Sequence, residues 1–207
     1  MRLFLAVDPD DEARRAIAAE QERLLSALGD AADQIRPVRP EHMHMTLVFL
    51  GDVDDSRVAA VVDACGRPID ARPFDMAFAG VGVFPPRGAP RALWIGVDAG
   101  ASELTAVQQE MAARVGRLGF AEEGGAFRPH LTLGRWRRSR PSDRGRVLAQ
   151  ASHTPAARCR VDRVTLYRSE LPSAPHAGPT YTALAHANLT RGPSPTGPPA
   201  PGRATVT

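Results

Sequence analysis

A four-residue motif that occurs twice constrains this chain more than any other feature. The copies are His44-Met45-Thr46-Leu47 and His130-Leu131-Thr132-Leu133. Successive side chains of a β-strand point to opposite faces, so the histidine and the threonine two positions later share one face while the apolar residues point into a core. Each copy therefore predicts a strand that presents an imidazole beside a hydroxyl.

The residues around the two copies repeat as well. An apolar run at residues 2–8 precedes the first motif, and a similar run at residues 91–98 precedes the second. The aspartate that ends each run lies 36 positions before the motif histidine in the first copy and 32 positions before it in the second. Both halves are thus predicted to be strand, helix and strand, which makes the chain an internal duplication. We expect the functional site in the cleft between the two units.

Length and composition fit an ordinary globular protein. A chain of 207 residues suits one large domain or two small lobes, and it can bury a core without disulfides or metal. It contains no apolar run of about 18 residues, and its first residues enter a strand pattern directly. The sequence therefore predicts a cytoplasmic protein with neither a membrane span nor a signal peptide. Cys65 and Cys159 have no paired spacing and are interpreted as small buried residues.

Every basic side chain apart from histidine is arginine, because the chain contains no lysine. Guanidinium binds phosphate through a planar fork of donors that ammonium lacks. A cluster of arginines at positions 135, 137, 138 and 140 directly follows the second motif. Such a cluster is either a solvated loop or a surface for a polyanion, and its place after a motif strand favours the polyanion.

Apolar periodicity and turn residues predict the remaining elements. Strands are expected at residues 3–7, 43–50, 74–83, 93–97, 161–167 and 181–185, and helices at 11–28, 56–65, 102–118 and 141–151. Residues 35–40 are interpreted as a connector because of their prolines. We expect one domain over residues 1–190, with lobes of about 1–90 and 91–190 that exchange C-terminal strands. Residues 191–207 are rich in Pro, Gly, Ser and Thr and predict a disordered tail.

With these features the chain resembles the two-histidine (2H) phosphoesterases, and within them the RNA 2′,3′-cyclic phosphodiesterases, also called 2′-5′ RNA ligase-like proteins. The resemblance is carried by residues 2–7, 44–51, 127–133, Arg135, 166–169 and 181–184. It implies an α+β fold with a bilobed, pseudo-twofold duplication. Each lobe would be an antiparallel sheet with helices on its outer face, and the two motif strands would face a central cleft.

The resemblance implies hydrolysis of RNA 2′,3′-cyclic phosphate ends to 2′-phosphates, without metal or cofactor. Two imidazoles suit this chemistry, since one can be neutral and the other protonated near neutral pH. The residues alone do not decide which is which. The resemblance implies that His44 is the proton donor and His130 the proton acceptor. Thr46, Thr132 and Arg135 are the candidate phosphate-binding residues.

Several alternatives stay open at this point. Arg128 either binds substrate or pairs with a carboxylate such as Glu122 or Glu123. Phe49 either stacks on a base or packs in the core, and its position in an apolar run favours the core. His42 shares the parity of His44 and suggests a metal site, but no carboxylate or thiol spacing supports one.

Three functions also remain to be separated. The first is the cyclic phosphodiesterase, which would act as a monomer on an RNA or oligonucleotide end and would not contact a membrane. The second is a noncatalytic module that holds an RNA end through arginines and hydroxyls. The third is a phosphodiesterase of the same kind that acts on 2′-5′ linked oligonucleotides or on an ADP-ribose cyclic phosphate.

Overall fold

Two antiparallel sheets flanked by helices form the protein, in a computed structural model that describes residues 1–120, 126–152, 154–170 and 178–190. The predicted disordered tail, residues 191–207, lies outside the described residues. Along the chain the elements are β1 (Arg2–Val7), α1 (Asp11–Leu28), β2 (Ile35–Pro37), β3 (Met45–Asp52), α2 (Asp55–Gly66), β4 (Phe74–Phe84), β5 (Ala92–Val97), α3 (Ala101–Gly116), β6 (His130–Trp136), α4 (Asp143–Leu148), β7 (Ala157–Val161), β8 (Arg163–Glu170) and β9 (Thr180–Asn188).

The first sheet has the strand order β3-β1-β8-β9 and the second has the order β2-β6-β5-β4-β7. One face of each sheet belongs to the hydrophobic core, with Leu3 and Leu5 of β1 and Leu93 and Ile95 of β5 at most 1 % exposed. The opposite faces carry the motif histidines, and β3 and β6 lie against each other where the sheets meet. The predicted α+β fold with two antiparallel sheets and facing motif strands is therefore confirmed.

Helix α1 forms where the apolar stripe predicts it. Asp10 accepts a hydrogen bond from the Ala13 backbone N–H at 2.8 Å and so caps the first turn, while Gly29 ends the helix with a φ of 53°. Ile17 and Leu24 are at most 1 % exposed, as a helix with one apolar face requires. The same apolar periodicity, which predicts a stripe of Leu104, Val107, Met111, Val115 and Leu118, buries the first four of these residues in α3, while Leu118 lies beyond the end of the helix and is half-buried.

The helices exchange sheets. Helix α1 follows β1 of the first sheet, yet it packs against β7 of the second sheet and against α4. Helix α3 follows β5 of the second sheet, yet it packs against β3 of the first sheet and against α2. Each strand-helix-strand unit therefore covers the outer face of the other unit's sheet.

The single strand predicted at residues 161–167 is wrong, because the structure has two strands there that belong to different sheets. Strand β7 pairs with β4, and β8 pairs with β1. Asp162 separates them and is exposed. Val161 at the end of β7 and Val164 in β8 are both buried. The chain therefore passes from the core face of one sheet to the core face of the other within three residues. The apolar periodicity of the sequence did not reveal that the chain crosses between the sheets here, because buried and exposed residues alternate in the same way in both strands.

Three predicted boundaries also need correction. The proline-rich connector at 35–40 contains β2, which pairs with β6 along Ile35–Pro37. Helix α2 begins at Asp55, one residue before the predicted start at residue 56. Helix α3 begins at Ala101, one residue before the predicted start at residue 102, and follows Gly100, whose φ is 81°. A Cβ at position 100 would lie 2.7 Å from the Asp75 carbonyl oxygen, so only glycine fits there.

Sheet membership does not follow the two halves of the chain. β4 joins β5 through a hairpin at residues 85–91, so both strands lie in the second sheet. β8 and β9 return to the first sheet. The extent of the domain over residues 1–190 stays a prediction. Among the helices of the described residues, none has the length and apolar character needed to cross a bilayer.

Candidate active site

His44 lies immediately before β3, and the main chain fixes its ring. Its Nδ1 is 2.9 Å from the carbonyl oxygen of His42. Because a carbonyl only accepts hydrogen bonds, the hydrogen must be on Nδ1, and the proton that can be exchanged is on Nε2. The neutral ring then accepts a proton at Nε2, and the cationic ring donates one from it.

His130 is held in the same way at the start of β6. Its Nδ1 is 2.7 Å from the carbonyl oxygen of Arg128, which is again two residues upstream. The Nε2 of His130 is therefore left for chemistry as well. The duplication thus repeats both the position of the histidine on the strand and its tautomer, in which Nδ1 carries the hydrogen.

The two threonines follow the alternation that the motif predicts. Thr46 and Thr132 are half-buried, while their apolar neighbours Met45, Leu47, Leu131 and Leu133 are at most 4 % exposed. Neither threonine hydroxyl forms a hydrogen bond with another group of the described residues. Both hydroxyls are therefore available to donate to a bound anion beside the histidines.

Aromatic rings surround each histidine. The His44 ring lies 4.8 Å from Phe4 and 5.1 Å from Tyr181, and the His130 ring lies 4.8 Å from Phe84 and 6.1 Å from Trp94, between ring centroids. Sequence analysis did not identify these rings as site residues. The repeat held the signal, since Phe4 and Trp94 each stand four positions before the aspartate that ends the apolar run.

Burial and charge act on the two histidines differently. Burial is the largest cause that lowers the pKa of His44, while the His42 carbonyl and the negative charge of Asp8 act to raise it. Burial also lowers the pKa of His130, where the Arg128 carbonyl acts in the opposite direction and the positive charge of Arg135 lowers the pKa further. Among the charged groups, Asp8 acts to raise the pKa of His44 while the positive charges of His42 and Arg14 act to lower it, and at His130 the positive charge of Arg135 acts to lower the pKa.

Asp8 is held in place by two hydroxyl groups. Tyr167 donates to its carboxylate at 2.9 Å and Thr165 donates at 3.2 Å. Burial is the largest cause that raises the pKa of Tyr167 to about 12, and the charge of Asp8 adds to it, so this hydroxyl keeps its hydrogen at neutral pH. Asp8, Tyr167 and His44 line one cavity of about 290 Å³.

Two side chains of α1 support the motif strands. The buried amide of Gln21 donates to the Val38 carbonyl at 2.9 Å and to the Leu133 carbonyl at 2.6 Å. Arg14 donates to the Pro40 carbonyl at 3.0 Å, in the turn that leads to His44. Helix α1 therefore fixes both the second motif and the segment before the first one. Sequence periodicity gave no sign of this, since Gln21 occupies a core position of the helix.

Arg135 lies at the mouth of the site. It is exposed on β6 and lines a cavity of about 350 Å³ together with His42 and Tyr181. It lies close enough to Tyr181 that its positive charge acts to lower the pKa of that phenol, against the larger effect of burial. Its guanidinium is therefore in reach of an anion that occupies the cleft.

The structure gives Arg128 a main-chain role, through the carbonyl that orients His130. The Arg128 side chain is exposed. The carboxylates considered as its partners, Glu122 and Glu123, lie outside the described residues. Substrate binding by the Arg128 guanidinium stays a prediction.

Phe49 does not pack in the core as its apolar surroundings suggested. It is half-buried and outside the core cluster, with the Arg2 guanidinium 4.9 Å from its ring centroid. The reason is an irregularity in the pairing of β1 with β3, after which Leu47 and Val48 both point into the core and Phe49 pairs with Phe4 on the opposite face.

The described residues contain no group of three His, Cys, Asp or Glu side chains that could hold a metal ion. His42, the residue considered for such a site, stacks edge-on against Tyr181 with ring centroids 5.3 Å apart.

The chain is similar to a known protein family and to several known proteins. The model of the 2′-5′ RNA ligase superfamily matches residues 9–172. The chain is 37 % identical over 141 residues to an RNA 2′,3′-cyclic phosphodiesterase of Archaeoglobus fulgidus, which covers 68 % of this chain and 76 % of that protein. It is 33 % identical over 186 residues to one of Methanothermobacter thermautotrophicus, covering 89 % and 96 %.

Solved structures agree with these sequence relatives. A crystal structure of a Thermus thermophilus protein superimposes with a TM-score of 0.71 at 28 % identity, covering 93 % of this chain and 99 % of that one. The crystal structure of Escherichia coli LigT with 3′-AMP superimposes with a TM-score of 0.70 at 25 % identity, covering 91 % and 98 %.

Proposed function

Because the chain belongs to the 2′-5′ RNA ligase superfamily, we propose that it is an RNA 2′,3′-cyclic phosphodiesterase that opens terminal cyclic phosphates to 2′-phosphates without a metal ion. The observation that carries the proposal is the pair of histidines whose Nδ1 atoms are both occupied by main-chain carbonyls. This arrangement leaves two Nε2 atoms, which one hydrolysis needs as acid and base.

In the proposed reaction His130 accepts a proton from water at Nε2 as the water oxygen bonds to phosphorus. The bond between phosphorus and the ribose 3′ oxygen breaks, and that oxygen takes a proton from Nε2 of His44. The proton count balances, because the positive charge moves from His44 to His130 during the reaction. Proton exchange with the solvent then returns both rings to their starting states. The opposite charges near the two rings support this direction, since Asp8 favours a protonated His44 and Arg135 a neutral His130.

The anion is held by groups that face the same cleft. Thr46 and Thr132 donate hydroxyl hydrogen bonds to the nonbridging oxygens, and Arg135 neutralises the charge that builds on them. Preorganised donors of this type contribute roughly 2.7–4 kcal/mol each when they contact developing charge. The histidines, the threonines and the arginine therefore supply acid, base and charge stabilisation.

The testing experiment measures turnover of a nucleoside 2′,3′-cyclic phosphate in the presence of EDTA and identifies the product as the 2′- or 3′-phosphate. We expect the 2′-phosphate and no loss of rate with EDTA. Binding without turnover would favour the noncatalytic RNA-end module. Faster turnover of a 2′-5′ linked dinucleotide or of ADP-ribose cyclic phosphate, in a panel at equal concentration, would favour the third function. We further propose that the enzyme works as a cytoplasmic monomer.

A further inference from the structure

A groove lined by arginine begins at the mouth of the candidate active site. The cavity of about 350 Å³ that contains His42 and Tyr181 is also lined by Arg36, Arg39 and Arg135. A chain that leaves the histidines through this opening would therefore meet three guanidinium groups. Arg39 and Glu41 form an ion pair at 4.0 Å on the surface, where such a pair holds the cation weakly.

A second groove, of about 670 Å³, is lined by residues that lie near those of the first groove in the chain. Arg138, Arg140 and Arg146 line it, and all three side chains are exposed. None of the three guanidinium groups has a recorded hydrogen bond or ion pair with any group in the described ranges of the chain. These three residues form what we call the distal arginine groove.

A two-stranded ribbon connects the two grooves. Strand β2 pairs with β6 so that Arg36 lies opposite Arg135, and beyond it the Arg137 backbone N–H donates to the Gln34 carbonyl at 2.7 Å. Three residues of extended chain span at most about 11 Å, so Arg138 lies within that distance of Arg135. The ribbon and the residues directly beyond it therefore supply lining residues of both grooves.

Positive charge is concentrated among the residues that line the two grooves. Among the described residues that line the two grooves, six are arginines and two are carboxylates, Asp30 and Asp143. The excess of four positive charges exceeds the net charge of +3 of the whole chain. Asp143 is partly engaged as well, because its carboxylate accepts the Arg140 backbone N–H at 2.7 Å.

A neighbouring arginine shows what a structural role looks like in the same segment. The Arg144 guanidinium donates to the carbonyl oxygens of Pro85 and Gly88, each at 2.9 Å, and to that of Pro86. It thereby holds the β4–β5 hairpin to the start of α4. The arginines of the distal groove make no such contacts within the described residues, so the fold does not account for them.

We propose that the distal arginine groove binds the phosphodiester backbone of the RNA nucleotides that precede the terminal cyclic phosphate. This inference rests on the proposed function, because an RNA end held at the histidines must direct its chain out of the cleft. Planar guanidinium forks match phosphate oxygens, and a row of exposed cations tracks a backbone without reading its bases. The substrate class is therefore single-stranded RNA of several nucleotides, bound without base specificity.

The experiment compares three proteins: the wild type, the variant Arg138→Gln/Arg140→Gln/Arg146→Gln, and the control Arg15→Gln/Arg117→Gln/Arg158→Gln. The control removes the same charge from exposed positions outside both grooves. Fluorescence anisotropy measures the Kd of a single-stranded oligonucleotide with a terminal 2′-phosphate at several salt concentrations. Turnover of a cyclic mononucleotide is measured in parallel.

Each single-stranded phosphate contact contributes about 0.7 to the slope of log affinity against log salt, so the distal variant should lose about two units of slope. Between 50 and 200 mM salt the wild-type affinity should then fall roughly 15- to 20-fold more than that of the variant. The control should keep the wild-type slope, and all three proteins should turn over the mononucleotide equally.

A distal variant with the slope of the control would overturn the inference. So would displacement of the oligonucleotide by polyglutamate of equal charge as efficiently as by RNA, because the groove would then select any polyanion. Absence of mononucleotide turnover in the wild type is a different failure. It would remove the proposed function, while the salt slopes would still decide whether the groove binds RNA.

Discussion

At the scale of single residues, the two motif histidines are alike in sequence and different in surroundings. Both are fixed by a carbonyl two positions upstream, which the duplication repeats. The charged neighbours are not repeated: Asp8, opposed by His42 and Arg14, acts on His44, and Arg135 acts on His130. Since opposite charges shift the pKa values of neighbouring rings in opposite directions, an acid and a base can arise from two copies of one motif.

The acid and the base can be separated by the leaving group. A ribose alkoxide needs a proton from the general acid, whereas 4-nitrophenolate leaves readily without one. We expect His44→Ala to lose about 10²–10⁴ in kcat/KM on a 2′,3′-cyclic phosphate and far less on an aryl phosphodiester. His130→Ala should lose similar amounts on both. Rescue of His130→Ala by the aryl ester would exchange the two roles.

The pH profile should report the same asymmetry. The pKa values of both histidines are lowered by burial, so the bell of kcat/KM should lie on the acidic side of about 6.5. Asp8→Asn removes a charge that raises the pKa of His44, so the alkaline limb should move to lower pH while the acidic limb stays. Asp33→Asn, an exposed carboxylate outside the site cavities, is the control. Movement of the acidic limb instead would make His44 the base.

The guanidinium of Arg135 should not be replaceable by an ammonium. Arg135→Lys keeps the charge but loses the bidentate fork on phosphate. We expect kcat/KM on a cyclic mononucleotide to fall at least tenfold, which corresponds to about 1.4 kcal/mol of binding to the transition state. Arg137→Lys, two residues further along the chain and outside the cavities that carry the site, is the matched control. Equal rates in both variants would remove Arg135 from the reaction.

At the scale of secondary structure elements, α1 holds the site together although it contributes no catalytic group. Its buried Gln21 bridges the second motif strand and the segment before the first, over a sequence separation of 112 residues. Val38 also donates its backbone N–H to the same Leu133 carbonyl at 2.8 Å. One side chain of a helix that lies outside both motifs therefore helps to fix their relative position.

Replacing Gln21 by Leu should destabilise the protein by about 1–3 kcal/mol, because the half-buried Val38 carbonyl and the buried Leu133 carbonyl both lose the amide donor. For a chain of this length each kcal/mol lowers Tm by roughly 2–4 °C. Thermal unfolding followed by circular dichroism measures the change. Glu22→Leu, on the exposed face of the same helix, should leave Tm nearly unchanged. An unaltered Tm in the Gln21 variant would show that the bridge contributes nothing to stability.

Prediction from the sequence succeeded where the signal was local. The alternation of the motifs and the apolar stripes of α1 and α3 depend on neighbours in the chain, and the structure reproduces them. The division of residues 157–170 between two sheets depends on which distant strand each segment meets, which no local pattern records. Asp8 and Gln21 act through contacts across more than a hundred residues, so their roles also required the folded chain.

At the scale of the whole molecule, two buried histidines link stability to pH. Because the folded state lowers the pKa of both rings, the unfolded chain binds more protons than the native protein just below about pH 6.5. The free energy of unfolding should therefore fall as pH decreases from about 6.5 through the folded-state pKa values, and these two groups should have no effect above that range.

Urea unfolding of the wild type and of His44→Gln/His130→Gln at pH 5 to 8 tests this linkage. The double variant should depend less on pH between 5 and 6.5 than the wild type does, and both should run parallel between 7 and 8. The remaining histidines stay in both proteins and serve as the internal reference. Parallel curves over the entire range would mean that the folded state does not favour the neutral rings.

The exchange of helices between the sheets bears on how a substrate reaches the histidines. Since α1 and α3 each leave one sheet to cover the other, pulling the sheets apart would strip both helices from their apolar partners at once. A hinge motion between the halves would therefore expose apolar surface of both helices to water. The distance between the two imidazoles is therefore fixed in the folded protein. We expect an RNA end to enter a cleft of constant width and to leave through the same opening.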